Sequence, residues 1–213
     1  MLLREITYSI LELIREGSIV DDERLDVRLI SKLVQAKRLE YIKSIADSNK
    51  VLAEDFYQYF DLEIAGKTIQ DRTTYVFNTA VTPKIGFSRF GPLIAEVTHL
   101  HNPLHCPYKI VNNQHFRYTG HGRFNRGLVY ITYRDYKIYL KSNDNLFSYI
   151  DTIGVKAILE DPESVSTFNV ETDDYPITFD AYEYIKENIL TKDIRVFVSG
   201  QADEVNNASG NIE

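Results

Sequence analysis

The sequence predicts an α+β fold: an N-terminal helical hairpin or bundle, an antiparallel β region, and a C-terminal helix with an extended tail. Three observations carry this. Apolar residues between Arg24 and Asp47 recur every three or four positions, which lays one stripe along a helix. From Thr73 onward the residues turn β-branched and aromatic, with Gly and Pro between the runs, as short strands and turns require. Helical spacing then returns in TFDAYEYIKENIL, from Thr178 to Leu190.

The long helix is the element the others must serve. Leu25, Leu29, Leu33, Ile30, Val34, Tyr41, Ile42 and Ile45 form its apolar stripe, and Arg28, Lys32, Lys37, Arg38, Glu40 and Lys43 supply much of the rest. Asp21 and Asp22 precede it, where carboxylates accept orphan N–H groups and oppose the helix dipole. At 1.5 Å per residue it spans roughly 35 Å and needs partners along its length. A first helix over residues 3–15 offers Ile6, Ile10, Leu13 and Ile14 on one face, ending at Gly17 and Ser18. After the cap-rich break Asp47-Ser48-Asn49, Val51, Leu52, Phe56 and Tyr59 or Phe60 mark a short third helix.

Strands are expected at Thr73–Val81, Leu93–Leu100, Tyr108–Val111, His115–Thr119, Leu128–Tyr133, Lys137–Lys141 and Gly154–Leu159. LVYITYRDYKIYL is the clearest hairpin, with Arg134-Asp135 near its turn. Both of its alternating sets are largely apolar or aromatic, so it is expected to be covered on both faces. Phe179, Tyr182, Ile185 and Ile189 share a face of the C-terminal helix, Thr178 or Asp180 caps it, and IRVFVS follows as a last strand. The layout is therefore a helical region over 1–62, a β region over 63–177, a helix and strand over 178–199, and a docking tail over 200–213.

The totals bound the function. A chain of 213 residues, 44% hydrophobic and 26% charged, builds a core of its own. Net charge −7 gives no general affinity for nucleic acid. One cysteine, Cys106, excludes an internal disulfide and fits a reducing compartment. The N-terminus is not a signal peptide, and no apolar run reaches membrane-spanning length, so no membrane partner is expected. Phe and Tyr number 11 and 15 with no Trp, which suits contact surfaces as well as cores.

Charge is segregated. Residues 108–141 hold seven bases against Asp135, and residues 151–187 hold ten acids against Lys156 and Lys186. A monomer can fold one segment on the other, or a ring can set the positive edge of one copy beside the negative edge of the next.

Chemical motifs are sparse. His99, His101, His105, His115 and His121 lie within 23 residues together with Cys106. His99 and His101 would share a strand face, but no spacing matches a zinc pattern and no acid is placed as a base. Gly66-Lys67-Thr68 resembles the end of a phosphate loop, yet Asp61 stands where that motif needs Gly. No nucleophile, base and orienter can be named, so no catalytic residue, metal or cofactor is expected. In HFRYTGHGRFNRG, Arg117, Arg123 and Arg126 interleave with Phe116, Tyr118 and Phe124, a composition of binding hot spots and of single-strand grooves. In the tail, Val205 and Ile212 are candidate apolar anchors. Asn206 and Asn207 are candidate backbone-bonding residues, and Asp203 and Glu204 candidate partners for bases.

The opening ITYSILELIREGSIVDDERLDVRLISKLVQAKRLEYIK has the layout of virion proteins of short-tailed bacteriophages: a short helix, an acidic turn, and a long helix with Arg near its middle. IGVKAILEDPE, YPITFDAYEYIKENIL and DEVNNASGN also resemble structural proteins of crAss-like phages. The resemblance implies a head–tail adaptor or tail ring, a homo-oligomer on the order of twelve subunits below the portal and around the DNA channel. It implies no catalytic residues. A monomeric protein-binding module, or a metal-dependent hydrolase using the histidine cluster, are the alternatives.

Overall fold

The computed structural model describes residues 1–17, 27–70, 74–99, 108–119, 128–143 and 149–193. The chain forms two compact units, Met1–Leu52 with Asn169–Glu213, and Ala53–Phe168. The fold is mixed α and β, as expected.

In the first unit, helix α1 (Leu3–Gly17) packs against α2 (Val27–Asp47), and α2 packs against the C-terminal helix (Phe179–Asn188). Helix α1 buries Leu3, Ile6, Ile10, Leu11 and Ile14, while Leu13 stays 42% exposed. The buried line of α2 is Ile30, Val34, Arg38, Ile42 and Ala46, one residue per turn. Arg38, expected on the polar side, is therefore in the middle of the buried stripe. Its Nε donates to the Pro176 carbonyl at 2.7 Å and its guanidinium lies 5.6 Å from the centre of the Tyr175 ring. A buried guanidinium persists only when it is hydrogen-bonded. Ser9 and Tyr182 hydroxyls meet at 2.6 Å, and the Tyr41 and Tyr184 rings stand 5.0 Å apart. The C-terminal helix starts as expected, with Thr178 Oγ1 accepting from the Ala181 N–H at 3.3 Å. It runs into a π turn at Ile189–Asp193. Phe179, expected on the buried face, is 72% exposed. Asp21, Asp22 and the strand expected over 194–199 lie outside the described residues.

The second unit is built on a seven-stranded sheet with neighbours in the order β5-β9-β1-β2-β8-β7-β6. The strands are β1 (Gln58–Gln70), β2 (Thr74–Thr79), β5 (Ile94–His99), β6 (Lys109–Ile110), β7 (Val129–Arg134), β8 (Lys137–Ser142) and β9 (Thr152–Ala157). A small hairpin, β3 (Phe87–Ser88) with β4 (Gly91–Pro92), forms a separate ladder. All ladders are antiparallel except β6 on β7, which is parallel.

Strand β1 replaces the third helix expected at Val51–Phe60. Only one 3₁₀ turn, Glu54–Phe56, forms there. From Gln58 the side chains alternate, with Gln58, Phe60 and Leu62 buried and Tyr59, Asp61 and Glu63 exposed, which is the period of a strand. Its first half pairs with β9 and its second half with β2, and the register shifts between Ile64 and Gly66. Such a bulge bends a strand so that it can serve two neighbours. At the bend Gly66 leaves room for the Asn78 side chain of β2, which a Cβ there would push aside.

The sheet curls until its margins meet. Tyr108, just before β6, donates its N–H to the Val97 carbonyl of β5 at 2.9 Å. Phe60, Leu62, Phe77, Val97, Ile131, Ile138, Leu140, Ile153 and Val155 fill the enclosed side. The β7–β8 turn falls at Asp135 and Tyr136, one residue beyond the expected dipeptide. Both have positive φ, 51° and 56°, as a type I′ hairpin turn demands. The strand expected at His115–Thr119 is instead the short helix α3 (Asn113–Phe116) followed by a turn. Asn112 Oδ1 accepts from the His115 N–H at 2.8 Å, and this cap outweighs the β preference of His-Phe-Arg-Tyr. The C-terminal helix of the first unit is accordingly α4.

Candidate functional site

Helix α3 lies on the outer face of the β7–β8 hairpin. Thr132 Oγ1 on β7 donates to Asn113 Oδ1 at 2.9 Å, and Lys141 Nζ on β8 donates to the Arg117 carbonyl at 3.3 Å. This covers the second face of β7, so Tyr130 and Thr132 are buried along with Ile131 and Tyr133. The two-faced apolar pattern of the hairpin thus has its physical reason. Between α3 and the hairpin opens a pocket of about 660 Å³, walled by Phe116, Arg117 and Tyr118 on one side and Arg134 and Tyr139 on the other. Arg134 Nε binds Asp135 Oδ2 at 3.0 Å. Arg117 forms no ion pair among the described residues, and Tyr118 is 81% exposed. Arg117 and Arg134 line the pocket, and the Lys141 ammonium meets the Arg117 carbonyl. This is a cationic, aromatic cavity of ligand-binding size.

Of the residues picked from sequence, Arg117 is in this pocket. Arg123, Phe124 and Arg126 lie outside the described residues, as do Asp203, Glu204, Val205, Asn206, Asn207 and Ile212. His99 ends β5 and His115 sits exposed on α3, while His101, His105, Cys106 and His121 are outside the described residues. Among the described residues no group of three or more His, Cys, Asp or Glu is placed to hold a metal. No helix among them is long and apolar enough to cross a membrane.

Four acids of 151–187 have partners close by among the described residues. Asp151 pairs with Lys67 at 2.7 Å, Glu183 with Lys186 at 2.7 Å, and Asp174 with the Met1 amino group. Asp161 caps the turn at Pro162–Ser164 through the Glu163 N–H at 3.0 Å.

Sequence reasoning missed two surface features. A hollow of about 310 Å³ lies on the outer face of β1, β9 and β5. Gly154 forms its floor, standing in register with Asp61 on one neighbour and Thr98 on the other. Lys156 beside it is hydrogen-bonded to Glu54 and lies 5.2 Å and 5.4 Å from the Tyr59 and Tyr57 ring centres. The Glu54 hydrogen bond, then that to Tyr59, holds its ammonium well above the usual lysine range. The second feature is the β3–β4 tip, where the Arg89 guanidinium stands 4.6 Å from the centre of the 64% exposed Phe90 ring. Gly91, with φ +135°, makes that turn possible. The alternation of Gln58–Ile64 was the signal for the first feature, and Ser-Arg-Phe-Gly-Pro a turn signal for the second.

These surfaces carry exposed aromatic rings and fixed charges, the residue types enriched in contact surfaces. Among curated proteins none matches this chain. Residues 5–212 match the family described as phage tail ring protein 2, of the crAss-like phages; with nearly the whole chain covered, the protein belongs to that family and is a structural protein of the phage tail.

Proposed function

We propose that the protein forms a closed homo-oligomeric ring, on the order of twelve copies, within the portal–tail region of a short-tailed phage. It joins the portal and adjacent tail rings around the DNA passage, and assembles in the host cytoplasm before residing in the virion. Its work is assembly rather than catalysis. The observation that carries this reading is the second unit's surface. Tyr59, Phe90, Tyr118, Tyr136 and Tyr149 are each more than half exposed, and interfaces are enriched in such residues. Arg117 of the basic segment forms no ion pair among the described residues, while Asp151, Glu183 and Asp174 have other partners. That favours charge complementarity between copies over neutralisation within one. DNA passes with only non-specific proximity, which a chain of net charge −7 suits. The loop over 115–127 faces a protein neighbour rather than DNA. The tail over 200–213 docks on a neighbouring subunit.

Electron microscopy of purified particles tests this. Density for this chain as a closed ring of about a dozen copies is the expected result. A single copy per particle, with a monomer in solution, would favour a binding module. Stoichiometric zinc in the purified protein, lost on changing His99 and His101 to Ala, would revive the hydrolase alternative.

A further inference from the structure

The pocket between α3 and the β7–β8 hairpin has more donors than the subunit itself uses. Arg117 projects from the turn after α3 without an ion pair among the described residues. Arg134 shares only its Nε with Asp135, and its terminal nitrogens add further donors. Phe116, Tyr118 and Tyr139 supply apolar walls. The ligand such a site recognises carries carboxylates next to a small apolar side chain.

The chain's own sequence holds that ligand. Residues 201–213, QADEVNNASGNIE, contain Asp203, Glu204 and Glu213, no base, and Val205 directly after the acidic pair. We propose that the α3–hairpin pocket receives this acidic segment from a second copy of the chain. Asp203 and Glu204 meet the guanidiniums of Arg117 and Arg134, and Val205 rests on the aromatic wall. The asparagines bond to polar groups at the rim, including the Gln114 amide. Two guanidiniums match two adjacent carboxylates in number. They match a duplex poorly, since DNA presents a charge about every 1.7 Å along its axis. The proposal rests on the ring reading, because a tail that reaches the next copy in each case closes a cycle with the same contact repeated.

The test uses the full-length protein and a fluorescent peptide of residues 199–213, followed by anisotropy. Saturable binding is expected, weakened at least about tenfold when Arg117 and Arg134 are both changed to Glu. Both side chains are exposed, so the melting temperature should hold. Changing both to Gln gives an intermediate loss if charge is the cause. A peptide with Asp203→Lys and Glu204→Lys should bind the Glu variant and not the parent. Absence of saturable binding, or binding indifferent to these changes, overturns the proposal. So does a DNA duplex that displaces the peptide at lower concentration than unlabelled peptide does; the pocket would then be a phosphate-backbone site. Rings seen in particles with no peptide binding would leave the ring reading intact and remove this one. Peptide binding without rings would do the opposite.

Discussion

A guanidinium at the centre of an apolar stripe has to be held on several sides. Arg38 satisfies that through the Pro176 carbonyl and the Tyr175 ring, so it ties α2 to the segment leading into α4. Replacing it with Ala removes a charge-assisted hydrogen bond and leaves a cavity. We expect a loss of about 3 kcal/mol in denaturant unfolding; a loss below about 1 kcal/mol would show that the contacts are incidental. The sequence contained this position but not its meaning. Arg38 stands four residues from Val34 and from Ile42, yet a charge in an apolar row reads as the polar flank unless its partner is known, and that partner lies 138 residues away. Tyr108 shows a second residue-scale effect. Burial pushes its phenol up to about 12, so folding favours the neutral form. The associated stability is complete below the unfolded value, about 10, and is lost as pH rises through the folded value. The melting temperature should therefore fall between pH 10 and 12, and Tyr108→Phe should flatten that fall with little change at neutral pH. An equally steep fall in the variant would assign the effect to other groups.

At the scale of elements, hairpins and helices with clean periods were legible and junctions were not. β7 and β8 appear within a residue of their expected limits because alternation and turn chemistry agree. Strand β1 went unseen although Gln58–Ile64 alternates cleanly, because Val51, Leu52 and Phe56 ahead of it also fit helical spacing. Local pattern cannot choose between the two. Pairing with β9 and β2 does. The α3 segment failed in the opposite direction, since one side-chain cap redirected a β-prone run. The β7–β8 turn yields a prediction at this scale. Tyr136 occupies a positive-φ position that glycine adopts without a Cβ penalty. Tyr136→Gly should raise stability by about 0.5–1 kcal/mol, the left-handed cost less glycine's extra chain entropy. No gain on thermal unfolding would mean that the Thr82 N–H, bonded to the Tyr136 carbonyl at 2.7 Å, already sets this turn. A gain in stability with a loss of incorporation into particles would mark the Tyr136 side chain as an interface residue, strain being kept where function needs it.

For the whole molecule, composition and layout led to a phage structural protein, but the pocket beside α3 was only partly visible. Arg117, which stands out in the sequence because Arg and aromatics interleave around it, lines that pocket. The wall formed by Arg134 and Tyr139 belongs to another element, and no spacing in the sequence joins it to Arg117. The division into units was likewise hidden, since it depends on contacts between distant segments. Ala53–Phe168 contains its own apolar cluster and every strand of the sheet. Expressed alone, residues 53–168 should unfold cooperatively with heat and keep a β-type circular dichroism spectrum. A non-cooperative melt would show that the unit depends on the helices.

That arrangement also fixes an order of events during synthesis. The helical unit draws on both ends of the chain: Ser9 bonds Tyr182, 173 residues later. α1 and α2 leave the ribosome with their apolar stripes bare and must wait while the whole β unit is made, roughly 6–23 s at about 5–20 residues per second. If the intervening segment stayed unfolded, the logarithmic closure term for a loop of that length would be about 4 kcal/mol. Folding of the β unit before the helices meet α4 would remove most of that term. During the wait, the nascent helices of neighbouring chains on one messenger are exposed to each other. The helical unit is thus completed last, at the place where synthesis of its first helices began.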